Sequence, residues 1–399
     1  MLRRVWQIAA STTLVVSSFA MFGPVLAVLL QQRGHSTTVI GGFAMITFAC
    51  VALLIPFMPR VFARFGIGRC YLLGLVLQTL CTVGYAVFDT FALWCASAVM
   101  GGIGAAAVWN ATEALLAEHA PPDQRGHVMG LYQTALGAAL AAGPFVPAAL
   151  HWSAQTTLVV AAIVQFAALV LAASTGIVRA HPSRPALAVD NDAPRNMDAL
   201  PVNAPQVAAQ TMGTWQALCP VPYLVGIAFV GGVFEAGLSS ISAANGAAQG
   251  LSMAAAASIV GVLGLGSFAF QYPAGMAADR FAPRYVFSVA GIALLLSVML
   301  LAWGTQQAST QLWVLWACAL VWGGVGGALY TLTMIRVAHH FSAATVAAGT
   351  AAMITGYTLG GAVGPVVSGA SLQYAGSLGL SLWLGILSLA VVALARRSH

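Results

Sequence analysis

Residues 70–117 read CYLLGLVLQTLCTVGYAVFDTFALWCASAVMGGIGAAAVWNATEALLA, two long apolar runs parted by a single polar break at Asp89-Thr90. A helix needs about 20 apolar residues to cross the roughly 30 Å hydrocarbon core of a bilayer, and both runs reach that length. Inside the core no water satisfies backbone groups, so only helices or closed barrels can span it. Barrel strands would alternate apolar and polar positions over about 10 residues, and these runs do not alternate. The stretch therefore reads as an antiparallel pair of membrane-spanning helices.

The same reading extends in both directions. Spans are expected near 5–30, 37–58, 70–88, 91–117, 127–149 and 153–178, and then near 218–243, 252–276, 285–304, 311–336, 345–372 and 376–395. Hydrophobic residues make up 60% of the 399-residue chain and charged residues 6%, against roughly 25% charged in a soluble globular protein. No aqueous surface can be built from that composition. The expected class is an all-α integral membrane protein of twelve transmembrane helices.

All fifteen basic residues are Arg. Arg3 and Arg4 precede span 1; Arg60, Arg64 and Arg69 lie between spans 2 and 3, and Arg125 between spans 4 and 5. Arg179, Arg184 and Arg195 fall in the central gap, Arg280 and Arg284 follow span 8, Arg336 ends span 10, and Arg396 and Arg397 close the chain. Arg33 alone falls on the other side. Basic residues concentrate in cytoplasmic loops, so both termini and the gap are expected in the cytoplasm, with the protein multi-pass in the cell (inner) membrane. The net charge of +6 marks orientation and calls for no nucleic acid. Met-Leu-Arg-Arg and the apolar run after it resemble a signal peptide, but the run is too long and lacks a small-x-small cleavage site, so it is read as an uncleaved first span. The six Cys form no CxxC pair and no metal spacing, and no metal or cofactor is expected.

Between Arg179 and Trp215 five prolines alternate with Asp and Asn, a composition that buries too little apolar area to offset its ordering entropy. The organisation expected is a six-helix bundle over 1–178, a flexible linker over 179–215 and a second six-helix bundle over 216–399. The halves repeat one another. Arg-Gly-His-Ser at 33–36 recurs as Gln-Gly-Leu-Ser at 249–252, and Arg64-Phe65 as Arg280-Phe281, both at an offset of 216; Gly101-Gly102-Ile103-Gly104 matches Gly323-Gly324-Val325-Gly326, and Gly143-Pro144 matches Gly364-Pro365, at offsets of 222 and 221. Four matches in one order argue for two pseudo-symmetric bundles related by an axis along the membrane normal, a plan used by secondary transporters.

With these residues the chain resembles the major facilitator superfamily over essentially its full length. That family carries a GxLADRxGRR signature between helices 2 and 3, recurring between helices 8 and 9. The second copy stands here as Gly275-Met276-Ala277-Ala278-Asp279-Arg280 with Arg284; the first is degraded, with Pro59 and Ala63 at the Gly and Asp positions and Arg64 and Gly66 retained. The resemblance implies a gating role for Arg64, Gly66, Gly275, Asp279, Arg280 and Arg284, with Asp279 in ionic contact with nearby Arg or a helix N-terminus. It also implies bends in helices 5 and 11 at Gly143, Pro144, Gly364 and Pro365. The words around Gln271-Tyr272-Pro273-Ala274-Gly275 and Glu235-Ala236-Gly237 look most like the family's exporter-like branch.

Few ionisable groups lie inside spans. Glu235 falls about 20 Å past Pro222 at 1.5 Å per residue, near the bilayer middle, where a charged acid costs about 2.5–3.5 kcal/mol on insertion scales. It must face the bundle interior or a cavity, which makes it a proton-coupling candidate; the alternative is a structural interhelical hydrogen bond. Glu113, nearer the inner boundary, is a second candidate, set against a role touching loop arginines. Asn110, Gln133, Asn245, Tyr330 and Tyr357 are candidates for lining a substrate cavity, being polar at span positions. The runs Gly101–Gly104 and Gly323–Gly327 lack the strand context of a nucleotide fingerprint and read as close-packing helix faces.

Neither a P-loop nor an HExxH motif nor a Ser/His/Asp arrangement occurs, so an enzyme is not expected and uphill transport must draw on a gradient. The expectation is a secondary active transporter moving a small organic molecule by alternating access, proton-coupled and, from the helix 5 Gly-Pro signature that the family associates with exchangers, an antiporter for efflux. Its partners would be the substrate, protons and the lipid bilayer, and it would act as a monomer. The rivals are a symporter or uniporter for uptake, and a non-transporting receptor on the same fold.

Overall fold

The computed structural model describes residues 2–119, 125–176, 221–304, 312–340 and 346–397; the 179–215 linker and Cys219 lie outside them. The chain runs through α1 (Leu2–Gln32), α2 (Thr37–Leu54), a 3-10 turn (Ile55–Phe57), α3 (Met58–Phe65), α4 (Ile67–Val87), α5 (Phe91–His119), α6 (Arg125–Ala142), α7 (Phe145–Ala149) and α8 (Ala154–Ser174). The second half continues with α9 (Pro222–Gly232), a π-turn (Val233–Gly237), α10 (Leu238–Ala248), α11 (Met253–Arg280), α12 (Pro283–Gly304), α13 (Leu312–His340) and α14 (Val346–Ala395).

Among the described residues ten stretches are by themselves long and apolar enough to cross a bilayer. Two differences reconcile ten with the expected twelve. Span 5 is divided between α6 and α7 at Gly143-Pro144, because proline has no N–H to continue the helix. Spans 11 and 12 run together as α14, which reverses at Gly376 with φ 61° and ψ −160°. Pro365, at the position of the expected helix 11 bend, lies inside α14, and the non-helical residue of α14 is Gly376. Span 7 extends beyond the expected residue 243 to Ala248 and is interrupted midway by the π-turn.

The repeat is visible in local geometry. Gly34 and Gly250 adopt φ of 81° and 82°, a conformation natural to glycine, and each is followed two residues later by a serine that caps the next helix, Ser36 accepting from Val39 N and Ser252 from Ala255 N. Helix pairing repeats as well. In the first half α2 packs on α5 and α4 on α8; in the second α11 packs on α13 and α12 on the last part of α14, where Gly291 abuts Val392 and Ser388.

The halves meet along α2 with α14, α6 with α11, and α1 with α10 and α11. Both termini lie on one face, and contacts bind the halves at the opposite face. Thr37 Oγ1 donates to Gly369 O at 2.7 Å, Thr38 N donates to Gln373 Oε1 at 3.4 Å, and Leu26, Leu30 and Ile40 share an apolar cluster with Ala243, Ala244 and Ala256. The same face holds the one ion pair among the described residues, Arg33 with Asp89 at 3.4 Å. Arg33 also donates to Asp89 O at 2.7 Å and stacks over Trp94, a structural clamp on the first half. On the terminal face Asp279 and Arg280 are exposed, and among the described residues Asp279 forms no ion pair. Arg64 and Arg284 lie against the rings of their neighbours Phe65 and Tyr285, Gly66 joins α3 to α4 at φ 85°, and a Cβ on Gly275 would meet nothing within 4 Å.

Candidate functional site

Glu235 is the central residue of the passage Pro222–Ala248 and sits in the π-turn. A π-turn inserts one extra residue per turn, breaks the regular i→i−4 ladder and occurs mostly at functional sites. Its setting is a close approach of backbones: a Cβ at Gly232 would stand 2.0 Å from Tyr357 O, so only glycine admits α14 this near. That approach brings Tyr357 to the acid.

Both hydrogen-bond partners of the Glu235 carboxyl are hydroxyls. Tyr357 OH donates to Oε2 at 2.8 Å, and Ser267 Oγ on α11 donates to Oε1. One turn along α11, Gln271 Oε1 accepts from Thr331 Oγ1 on α13, and the Tyr330 ring packs against Tyr357 with centroids 4.9 Å apart. Gly327 floors the cluster: a Cβ there would meet Ser267 Oγ at 2.8 Å and both Gln271 Nε2 and Glu235 Oε1 at 3.0 Å. The glycine run of α13 thus does what small residues do between membrane helices, letting them approach, and here it makes room for a polar centre.

The chemistry open to this centre is proton exchange. As a carboxylate Glu235 accepts from both hydroxyls, in charge-assisted bonds. As a neutral acid it must donate one proton, so one hydroxyl has to turn from donor to acceptor, which tyrosine and serine can both do. The change falls on α11 and α14, which also pack against the first half through α6 and α2 respectively.

Of the sequence candidates, the structure gathers Glu235, Tyr330 and Tyr357. Asn245 is placed apart, about 15 Å along its helix, in a separate 20 Å³ void inside the second half with Ser242 and Trp322. Asn110 donates to Ala106 O of its own helix at 2.8 Å. Glu113 and Gln133 lie in α5 and α6, and their side chains fall outside the described ones. Ser267, Gln271 and Thr331 were missed; the available signal was Ser267 and Gln271 at i,i+4 on one face of an apolar helix.

Beside the π-turn a cavity of about 50 Å³ opens between the halves. Phe19, Phe22, Phe43, Phe48 and Tyr85 line it from the first half, and Ser239 and Ser240 from the second. Phe48 borders Gly361 together with Ala236 of the π-turn.

Comparison with known proteins defines the class first, a polytopic membrane transporter. The profile described as "Major Facilitator Superfamily" matches residues 8–264 and 226–398, and the chain belongs to that family. It is 22% identical over 360 residues to the Uncharacterized MFS-type transporter YfkF of Bacillus subtilis (strain 168), covering 90% of this chain and 86% of that protein. Its fold resembles the nucleoside transporter NupG, with a TM-score of 0.74 at 11% identity over 99% of this chain and 98% of that one. It also resembles a bacterial homolog of the human lysosomal transporter Spinster in an inward-facing, unoccupied conformation, with a TM-score of 0.67 at 17% identity over 99% and 93%.

Proposed function

We propose that this chain is a proton-coupled secondary active transporter that moves a small organic molecule out of the cell by antiport. One observation carries the reading: a carboxyl at the centre of the seventh span, held by hydroxyls from α11 and α14, both of which also touch the other half. Proton binding at Glu235 reverses a hydrogen bond to α11 or α14 and so biases how those helices rest on α6 and α2. A ligand shifts an equilibrium only through differential affinity for its two states, and a carboxyl whose partners change between states supplies that difference.

The Arg distribution supports an inner-membrane protein with cytoplasmic termini, and on this proposal it acts as a monomer. On that orientation the contacts through Thr37, Thr38, Gly369 and Gln373 seal the external side. Arg64, Gly66, Gly275, Asp279, Arg280 and Arg284 then form the gate that closes the cytoplasmic side in the alternate state. Glu113 is the reserve proton site.

The test is transport in proteoliposomes, using ligands found by thermal stabilisation of the purified protein. Glu235→Gln keeps shape and hydrogen bonding while fixing the neutral state. It should retain substrate exchange and lose accumulation driven by a pH gradient. Gradient-driven accumulation at the wild-type level in Glu235→Gln would assign Glu235 to structure and refute the coupling role.

A further inference from the structure

The cavity beside the π-turn has a composition that specifies its ligand, and this inference rests on the transporter reading above. Five of its lining residues are aromatic, and four of their rings form a chain of contacts: Phe19 with Phe22 at 5.5 Å, Phe22 with Tyr85 at 5.4 Å, and Tyr85 with Phe43 at 6.1 Å. Its polar atoms are the hydroxyls of Thr47, Ser239, Ser240 and Tyr85, and no lining residue carries a charge. Aromatic pairs favour offset or edge-to-face geometry, so this wall presents ring faces and edges to a flat guest. A charged guest would give up its hydration with no counter-charge on the walls, and burial of an unpaired charge is strongly opposed.

We propose that the transported molecule is a neutral, planar aromatic compound bearing a small hydrogen-bonding group, bound with its ring among Phe19, Phe22, Phe43 and Tyr85 and its polar group toward Thr47, Ser239 and Ser240. Gly23 is the residue that sets the width of the slot. It lines the cavity between Phe22 and Leu26, and a Cβ added there would meet nothing within 4 Å. A larger side chain at this position therefore grows into ligand space without disturbing the helices. Ser239 and Ser240 stand on the wall contributed by the other half, so the slot is completed only when the halves close on each other.

Three nearly isosteric probes separate the charge classes: 2-naphthamide, 2-naphthoate and 2-naphthamidinium. Binding to the purified full-length protein is measured by titration calorimetry at neutral pH. The amide should bind at least about tenfold more tightly than either ion, a difference of about 1.4 kcal/mol. Gly23→Leu should weaken amide binding by at least tenfold while leaving the unfolding temperature of the empty protein unchanged. Should Gly23→Leu fail to fold, Ser240→Leu narrows the slot from the opposite wall and should give the same loss. Equal or tighter binding of either ion, absence of amide binding, or unaltered amide binding in the folded slot variant overturns the proposal. Glu235→Gln separates this inference from the coupling role: it should bind the amide as wild type does, so a failure of proton-driven movement leaves the ligand class standing, and a failure of binding leaves the coupling test standing.

Discussion

Replacing Gly323 with alanine tests the packing on which the polar centre depends. A Cβ at Gly323 would lie 1.8 Å from Leu263 O and 2.6 Å from Leu263 C. Contact between non-bonded heavy atoms sits near 3.5 Å, so α11 and α13 must separate by about 1.7 Å to admit the methyl group. The obstructing atoms are backbone and cannot turn aside as a side chain would. Overpacking of this kind costs typically 1–3 kcal/mol, and the upper end, about 3 kcal/mol, is expected here. The same opening stretches the Thr331–Gln271 bond across α11 and α13 past the roughly 3.5 Å at which a hydrogen bond is lost. Gly275 on α11 is the control: a Cβ there meets nothing within 4 Å, and alanine is preferred to glycine inside a helix by about 0.5–1 kcal/mol. Thermal unfolding of the purified variants in one detergent should show Gly323→Ala melting well below wild type and Gly275→Ala at or slightly above it. Equal melting of Gly323→Ala and wild type would refute the described approach of α11 to α13.

Three further outcomes follow from named contacts. Tyr357→Phe removes the donor to Glu235 Oε2; a bond to a charged group is worth about 1.5–3 kcal/mol, so uphill transport should fall at least tenfold while exchange persists, and unchanged pH-driven transport would place Tyr357 outside the coupling site. Ala193→Cys, in the linker, should resist an impermeant thiol reagent applied to intact cells and react in everted vesicles; strong labelling from outside would reverse the orientation. Arg33→Ala breaks a partly exposed contact with Asp89 and Trp94, and such pairs contribute at most about 1 kcal/mol, so it should shift the melting temperature slightly and leave transport intact; loss of transport would give Arg33 a role beyond the clamp.

What was legible in the sequence follows from which physical signals survive in a bilayer. Span length and the Arg asymmetry are one-dimensional, so the passages could be placed and the helix break at Gly143-Pro144 anticipated. The facing of polar side chains is different, because lipid is as apolar as a protein core and these helices have no polar outer face against which to read an inner one. Asn245 and Tyr357 therefore looked equivalent as polar positions, although one borders a small void inside the second half and the other holds Glu235. The π-turn was equally hidden, since it depends on the approach of α14 to Gly232, a tertiary fact. Ser267 and Gln271 could have been found from their i,i+4 spacing, but nothing in α11 alone says that an acid from the preceding span lies opposite.

The internal repeat makes the asymmetry of the site an argument about mechanism. At the offset of 216, Glu235 corresponds to Phe19, Ser239 to Gly23, Ser267 to Val51 and Gln271 to Ile55; at 222, Tyr330 corresponds to Val108, and at 221, Tyr357 to Leu136. Each of these polar residues thus has an apolar counterpart, and two of those counterparts, Phe19 and Gly23, line the aromatic cavity. Two like scaffolds can rock about a common axis with little distortion of either, because each passage meets an equivalent partner. A proton, however, can bias that motion only through a site whose partners differ between the states, and a second carboxyl at position 19 would add another charge to desolvate at mid-depth. On the reading proposed above, placing the principal coupling carboxyl, Glu235, in the second half leaves the first free to present the uncharged aromatic wall of Phe19, Phe22, Phe43 and Tyr85 to the ligand, with the π-turn lying between Glu235 and the cavity-lining Ser239.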